Sequence, residues 1–235
     1  MCDTVDMCGR FAQVLLKSHL PPGMAEHLRD ELNEQIRPRF NIAPSAAAGT
    51  IAKFEGNDVP LPMQWGLVPA WKKDLSPPTP INARIETVAT SGMFRAAYRY
   101  RHCVVPVRNY YEWLDGPAPK QPYAIAHATD ECLWLAGLFE LWSDAGNSAL
   151  LTFTIVTKPA EGIADRVHSR MPVILEPAHV MPWLNATDPK ESMDLLLQPA
   201  PPLCIYPVSK RVNNARNEFD DLAEPIGEIE TEAIA

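Results

Sequence analysis

Cysteine pairs of the kind that bind zinc or form disulfides are missing from this sequence. Its five cysteines are an odd number, and none belongs to a Cys-x-x-Cys pair. Structural zinc sites use closely spaced pairs and disulfide frameworks use even numbers, so neither is predicted. We therefore expect no metal and no cofactor. We interpret Cys103, Cys132 and Cys204, each in an apolar run, as reduced core residues.

Long hydrophobic runs are also absent. No stretch approaches the roughly 20 apolar residues of a membrane-spanning helix, and no charged-then-apolar leader resembles a signal peptide. The content of 46% hydrophobic and 21% charged residues is typical of soluble globular proteins. We expect a monomeric, cytoplasmic protein with no membrane partner.

Glycine is scarce beside proline, at 11 residues against 24. Short elements joined by rigid turns are therefore favoured over a helical bundle. Candidate strands outnumber candidate helices and follow one another, which predicts an α+β fold: one β-rich domain with a strongly bent antiparallel sheet or barrel and peripheral helices. The predicted strands cover 50–54, 61–65, 103–106, 110–113, 122–126, 133–139, 150–157 and 203–207. The predicted helices cover 24–36, 86–98, 159–167, 177–184 and 189–197, and 39–44 is predicted as a loop.

The net charge of −8 is concentrated near one end of the chain. Six acids and no base lie between Asp220 and the last residue, so this segment carries six of the eight net negative charges. The remaining body can hold a local basic stripe of the kind that binds phosphates. We divide the chain into an extension (1–6), one domain (7–219) and an acidic tail (220–235) that we expect to be disordered.

Met7-Cys8 has a chemical meaning if the chain is processed to begin at Cys8. A first-residue cysteine carries an α-amine, with a pKa of roughly 7.7–8.0, next to a thiol. The amine attacks an aldehyde to give an imine, and the thiol closes the imine into a thiazolidine ring. A buried structural cysteine is the ordinary alternative for such a dipeptide.

Two further residues are suited to proton transfer. Glu112 lies between Tyr111 and Trp113 in a strand, where it is either solvated on the outer face or held in a concave site as a general acid or base. His168 follows a predicted helix. It is either a helix-terminal hydrogen-bonder or a proton shuttle, since its imidazole titrates near pH 7.

Polar and aromatic residues elsewhere suit a nucleic-acid ligand. Asn82 and Arg84 share a face if their segment is extended, so one can orient an amine and the other can bind a phosphate. Arg10 is a second phosphate candidate. The side chains suited to stacking on bases or wedging between them are those of Trp71, Trp113 and Met93, although tryptophans in a small protein are more often core.

Seven motifs occur in a fixed order along residues 7 to about 217. They are Cys8-Gly9-Arg10-Phe11-Ala12; Phe40-Asn41-Ile42-Ala43-Pro44; Trp65-Gly66-Leu67-Val68-Pro69-Ala70-Trp71; Ile81-Asn82-Ala83-Arg84-Ile85-Glu86-Thr87; Arg101-His102-Cys103-Val104-Val105-Pro106 with Tyr111-Glu112-Trp113; His168-Ser169-Arg170-Met171-Pro172; and Val208-Ser209 with Val212-Asn213-Asn214. Together they resemble the SOS-response-associated-peptidase (SRAP) family of abasic-site-processing proteins.

The resemblance implies a β-rich domain with a positively charged cleft for single-stranded DNA that contains abasic sites. By this resemblance Cys8 crosslinks to the abasic-site aldehyde, Asn82 positions its amine, Glu112 is the acid/base and His168 assists proton transfer and reversal. Arg10 and Arg84 contact flanking phosphates. The residues implied to line the DNA path are Asn41, Pro44, Trp71, Met93 and Trp113. The family is also described as an autoproteolytic peptidase that exposes its own cysteine, a lyase-like and hydrolase-like combination in the SOS response.

Two other functions use the same residues. A cysteine peptidase or N-terminal-nucleophile amidohydrolase would direct Cys8, Asn82 and Glu112 at an amide, and a noncatalytic module would only bind single strands. The first function requires a free Cys8 amine, because an acylated nitrogen is an amide without a nucleophilic lone pair. Of the pairs Met1-Cys2 and Met7-Cys8, only the second is followed by Gly-Arg-Phe-Ala. We therefore expect an active species that begins at Cys8, through translation from Met7 in preference to removal of residues 1–7.

Overall fold

The computed structural model of the chain describes residues 9–14, 21–24, 31, 37–114, 116, 119–144, 146 and 148–233. Cys8 and most of the predicted helix 24–36 lie outside these residues. The strands are Arg10–Gln13 (β1), Arg39–Ile42 (β2), Ala47–Phe54 (β3), Asn57–Trp65 (β4), Asn82–Arg84 (β5), His102–Val107 (β6), Asn109–Leu114 (β7), Gln121–His127 (β8), Leu133–Ser143 (β9), Ala149–Pro159 (β10), Arg170–Pro172 (β11), Ile174–Leu175 (β12), Leu203–Pro207 (β13) and Glu230–Thr231 (β14). The α-helices are Arg95–Tyr100 (α1), Pro177–Asn185 (α2) and Pro189–Leu196 (α3), and 3-10 helices cover Gly162–Arg166, Lys210–Asn213 and Asp220–Ala223.

Five strands close into a barrel in the order β3-β4-β10-β9-β6, with β6 returning to β3. The β4–β10 pairing is parallel, and the other four are antiparallel. A second, antiparallel sheet has the order β14-β13-β8-β7-β1-β2. The predicted α+β fold, with a bent antiparallel sheet or barrel and peripheral helices, is confirmed.

Period-two alternation divides the apolar residues of the barrel between two cores. Cys103 and Val105 of β6 belong to the core shared with the second sheet, whereas Val104 belongs to the core beneath the helices. In the shared core, the ring centroids of Phe11 from β1 and Trp65 from β4 are 4.9 Å apart. The second sheet is thus packed firmly on the barrel, and the strands that bear candidate site residues have a rigid support.

Tertiary contacts changed several predicted elements. Residues 39–42, predicted as a loop, form β2 because Phe11 and Gln13 of β1 pair with Ile42 and Arg39. The predicted helix 86–98 begins only at Arg95, and the residues before it form hydrogen-bonded turns. The predicted helix 159–167 is the shorter 3-10 helix Gly162–Arg166. Local propensity is a weak guide where strand pairing competes for the same backbone groups.

The predicted disorder of the acidic tail is contradicted for residues 220–233. Leu222 is fully buried, and Cys204 and Ile205 of β13 pair with Thr231 and Glu230 of β14. The physical reason is that one buried leucine and a strand edge offer contacts that net charge alone does not reveal. Among the described residues, no helix has the length and apolarity needed to cross a bilayer.

Candidate functional site

Glu112 lies in β7 and is 5% exposed. Its neighbour Tyr110 faces the core between the second sheet and the barrel, whereas Tyr111 faces the opposite side of the sheet. Alternation places Glu112 on the side of Tyr110, and its Oε1 accepts a hydrogen bond from Trp113 N at 3.1 Å. The solvated, outward-facing alternative is therefore wrong. The acid/base role of this buried carboxylate stays a prediction.

The start of β1 runs beside Glu112. The antiparallel register pairs Arg10 with Tyr111 and Phe11 with Tyr110, so the chain enters β1 at the Glu112 end of β7. Cys8 itself lies outside the described residues, and its role is not tested by these contacts. The register nevertheless places Gly9, directly before β1, beside the buried carboxylate of Glu112.

Arg10 is held by the protein itself. Its Nη1 donates to Asn41 Oδ1 and to the Val212 carbonyl, both at 2.9 Å, and its Cζ lies 5.8 Å from the centroid of the Trp113 ring. Burial lowers the pKa of Arg10, an effect opposed by Tyr111 and Glu218. Arginine nevertheless stays protonated in proteins, so the Arg10 guanidinium keeps its positive charge. The charge is thus fixed in place beside Trp113, as a phosphate-binding residue would require.

Asn41 corrects one prediction. Instead of lining an open path, its side chain is 1% exposed. Its Nδ2 lies within hydrogen-bonding distance of the carbonyls of Val212 (3.3 Å), Asn214 (3.0 Å) and Asn217 (2.9 Å). Asn41 therefore shapes the 212–217 loop. The exposed Pro44 lies beyond it, next to Ser45, whose φ is 69°.

The 212–217 loop contributes a residue to which we gave no separate role from the sequence. Asn213 Oδ1 accepts a hydrogen bond of 2.7 Å from Trp113 Nε1. The indole is therefore fixed, with Arg10 near its face. In the sequence, Asn213 was marked only by its place in the Val-Asn-Asn motif, and the motif does not indicate that its side chain binds Trp113.

Asn82 and Arg84 are placed by β5, which runs parallel to β10. The register pairs Asn82 with Ile155 and Arg84 with Thr157. Between them Ala83 is fully buried, whereas Asn82 is half-buried and Arg84 is exposed. The predicted shared face of Asn82 and Arg84 follows from this strand geometry.

His168 lies between the 3-10 helix Gly162–Arg166 and β11. Its backbone N–H donates to the Ala164 carbonyl at 3.2 Å, and its Nδ1 accepts from Arg170 N at 3.1 Å. Nδ1 also lies 3.3 Å from the Arg170 carbonyl oxygen, so both contacts of this ring nitrogen are with the backbone of Arg170. The half-exposed ring is therefore held in the turn before β11 through one nitrogen. Its role as a proton shuttle stays a prediction.

Arg170 joins the segments that carry Asn82 and His168. Its guanidinium binds Glu86 with two hydrogen bonds, of 2.6 Å to Oε1 and 3.1 Å to Oε2. Its Nη2 also lies 2.9 Å from the Thr157 carbonyl of β10. A bidentate guanidinium–carboxylate pair fixes orientation as well as distance. This link between two motifs was not predicted from their sequences.

The Glu86–Arg170 pair predicts a pH dependence of stability. The hydrogen bonds from Arg170 lower the pKa of Glu86 below its ordinary 4.5. A lowered folded-state pKa stabilises the protein above the unfolded pKa, and this contribution is lost as pH falls through the folded value. We expect the difference in unfolding free energy between wild type and Glu86→Gln to shrink below pH 4.5. Urea unfolding across this range measures it. Exposed Glu228→Gln is the control, and a constant difference would contradict the role of the pair.

The proposed base-contacting residues differ in exposure. Trp71 is 65% exposed, whereas Trp113 and Met93 are half-buried. The four remaining tryptophans are buried, in agreement with their assignment to the core: Trp65, Trp134, Trp142 and Trp183. Within the part of the chain that the structure describes, no group of three metal-ligating side chains could hold an ion.

The chain is similar to known proteins over most of its length. Residues 7–215 match the family model described as SOS response associated peptidase (SRAP). The chain is 34% identical to "Abasic site processing protein YoqW" of Bacillus subtilis (strain 168), with 93% of this chain and 99% of that protein covered. It is 29% identical to "Abasic site processing protein YedK" of Escherichia coli (strain K12), with 94% and 100% covered.

Solved structures of other proteins have a fold similar to that of this chain. A phage-related protein of Bordetella bronchiseptica is 28% identical with a TM-score of 0.65, covering 94% of this chain and 100% of that one. A protein of Bacteroides thetaiotaomicron has a TM-score of 0.73 at 21% identity, covering 86% and 92%, and this likeness concerns the fold alone. The resemblance inferred from the ordered motifs is confirmed: the chain belongs to the SOS response associated peptidase (SRAP) family, alongside relatives named abasic site processing proteins.

Proposed function

We propose that this protein processes abasic sites in single-stranded DNA by forming a covalent thiazolidine crosslink through Cys8. The names of its relatives support the substrate, since an abasic site exposes an aldehyde when its sugar ring opens. The register of β1 on β7 is the single observation that carries the proposal. It directs the chain that follows Cys8 past a carboxylate that is 5% exposed.

The chemistry balances without a cofactor. The Cys8 α-amine adds to the aldehyde carbon, and the resulting carbinolamine loses water to form an imine. The thiol then adds across the C=N bond: its sulfur bonds to the carbon, its proton passes to the nitrogen, and the ring closes. Glu112 supplies the proton that leaves with the water and takes up the amine proton. Asn82 orients the amine, and His168 moves protons in the reverse reaction.

The remaining candidates are assigned to the DNA. Arg10 and Arg84 are proposed to bind phosphates on either side of the lesion, and exposed Trp71 offers a face on which a base can stack. We also propose that the protein acts as a monomer. Where residues precede Cys8, cleavage before this residue by the family's peptidase activity would release the amine.

An abasic oligonucleotide tests the function. Incubated with single-stranded DNA that carries one abasic site, the protein should give an adduct that survives denaturing electrophoresis without borohydride. Undamaged DNA of the same sequence is the control. An adduct that appears only after borohydride reduction would indicate a simple imine. Absence of both, with cleavage of a peptide substrate, would instead identify a cysteine peptidase or N-terminal-nucleophile amidohydrolase.

His168→Ala should slow release of the adduct more than it slows adduct formation. Reopening the thiazolidine requires a proton to be delivered to the ring and taken back, and an imidazole does both near pH 7. Release is measured by transferring the preformed adduct to excess unlabelled abasic DNA and following exchange. Exposed Ser169→Ala is the matched control. An unaltered release rate in His168→Ala would refute the role.

A further inference from the structure

The acidic tail, which begins beyond the family match at residue 215, is fastened to the segment that carries His168. Glu232 makes the connection. Its Oε2 accepts a hydrogen bond from Leu203 N at 2.9 Å, and its Oε1 accepts one from Ile163 N at 2.5 Å. Its own backbone N–H donates to the Leu203 carbonyl at 2.9 Å. One carboxylate thus joins β13 to the 3-10 helix Gly162–Arg166.

This 3-10 helix sets the position of His168. The backbone N–H groups of Val167 and His168 both donate to the Ala164 carbonyl, at 3.0 and 3.2 Å. Ile163 and Val167 are buried on the core side. Ile163 N, which binds Glu232, is therefore one residue from the carbonyl that binds His168 N. Displacement of Ile163 would be transmitted to the histidine through a single peptide unit.

The chain is shaped to admit this carboxylate. Gly162 has a φ of +58°, and a Cβ added there would collide with Glu232 Oε1. Glycine therefore serves both the left-handed backbone and the close approach of the carboxylate. Arg166 on the same 3-10 helix forms an ion pair with Glu230, but both side chains are substantially exposed, so this pair contributes little. The hydrogen bonds of Glu232 carry the connection.

We propose that Glu232 is a positioning residue for His168, and that the acidic tail is part of the machinery that reverses the crosslink. The inference rests on the proposed function, in which His168 moves protons during release. A carboxylate that accepts two backbone N–H groups holds both segments more strongly than neutral acceptors would. Without Glu232, the 3-10 helix loses one of its fixed ends and the imidazole loses its orientation toward the ring to be opened.

Glu232→Ala tests the inference, with Glu228→Ala as the matched control because Glu228 is an exposed acid of the same tail. We expect Glu232→Ala to slow adduct release by about tenfold, since modest misplacement of a reacting group has effects of this order or larger. Adduct formation and affinity for undamaged single strands should stay at wild-type values. Glu228→Ala should release its adduct normally.

Two readouts separate positioning from general destabilisation. We expect the pH profile of release to flatten in Glu232→Ala, and to flatten likewise in His168→Ala. In a His168→Ala background, Glu232→Ala should add no further slowing, because the group that it positions is absent. If Glu232→Ala does not fold, Glu232→Gln keeps one oxygen acceptor and allows the same comparison, with a smaller expected effect.

Three results would overturn the inference. If Glu232→Ala releases its adduct at the wild-type rate while His168→Ala is slowed, the positioning role of Glu232 is refuted and the role of His168 is not. Equal slowing of formation and release, with a lower Tm, would show that Glu232 is only structural. A wild-type protein that forms no adduct would overturn the proposed function, and this inference with it.

Discussion

A chain that begins at Cys8 should form a stable adduct with abasic single-stranded DNA, and a chain that retains residues 1–7 should form none. The free α-amine is needed because an acylated nitrogen has no nucleophilic lone pair. Intact-mass measurement establishes which first residue each preparation carries, and denaturing electrophoresis without borohydride measures the adduct. Cys8→Ala should reduce the stable adduct to background.

Cys8→Ser separates the two functions of this residue. Serine keeps the α-amine, so borohydride should still trap an imine. Without the thiol no thiazolidine forms, so no adduct should survive denaturing electrophoresis in samples that are not reduced. Buried Cys103→Ala is the control for loss of a cysteine elsewhere. If the chain that retains Met1 to Met7 crosslinks as fast as the Cys8-start chain, the aminothiol mechanism is wrong for this protein.

Glu112→Gln should slow adduct formation by about 10²- to 10⁴-fold, the usual contribution of a general acid or base. Glutamine keeps the size and polarity of the side chain, so affinity for undamaged single strands should hardly change. Single-turnover adduct formation measures the rate, and fluorescence anisotropy measures the affinity. The effect is expected to be large because burial excludes the water that would otherwise supply protons.

A second buried carboxylate provides the control. Glu140 in β9 is 2% exposed and forms an ion pair of 2.7 Å with Arg101, in the barrel and with no place in the proposed chemistry. Glu140→Gln should therefore change the unfolding free energy without a comparable loss of rate. If Glu112→Gln behaves like Glu140→Gln, or if its DNA affinity collapses, Glu112 is a structural residue.

Alternation made part of the site predictable from sequence. In β5 and β7 the side chains follow a period of two, so the shared face of Asn82 and Arg84 could be inferred before the structure was known. For Glu112 the pattern left two faces open. The structure excludes the solvated alternative, because both faces of β7 are covered: Tyr110 lies in the core shared with the barrel and Tyr111 in a second cluster.

Contacts between distant segments were not predictable. Asn41 looked like a surface residue of a loop, but its amide binds carbonyls about 170 residues away along the chain. The tail looked disordered because its net charge is high, but Glu232 is bound by backbone N–H groups on two other segments. In each case the partner is a backbone group, which every residue has, so no sequence pattern marks it.

The parallel pairing of β4 with β10 has a consequence for how the chain folds. Gln64 pairs with Thr152 to close the barrel, so closure must await a segment synthesised long after β3 and β4. Contacts of this separation are slow to form, because the entropy of a long loop must be lost first. Until β10 arrives, β4 and β9 are strands with unpaired edges. A nascent or truncated chain that stops before residue 149 therefore exposes the unpaired backbone N–H and C=O groups of β4 and β9. We expect such a chain to aggregate unless a chaperone covers these edges.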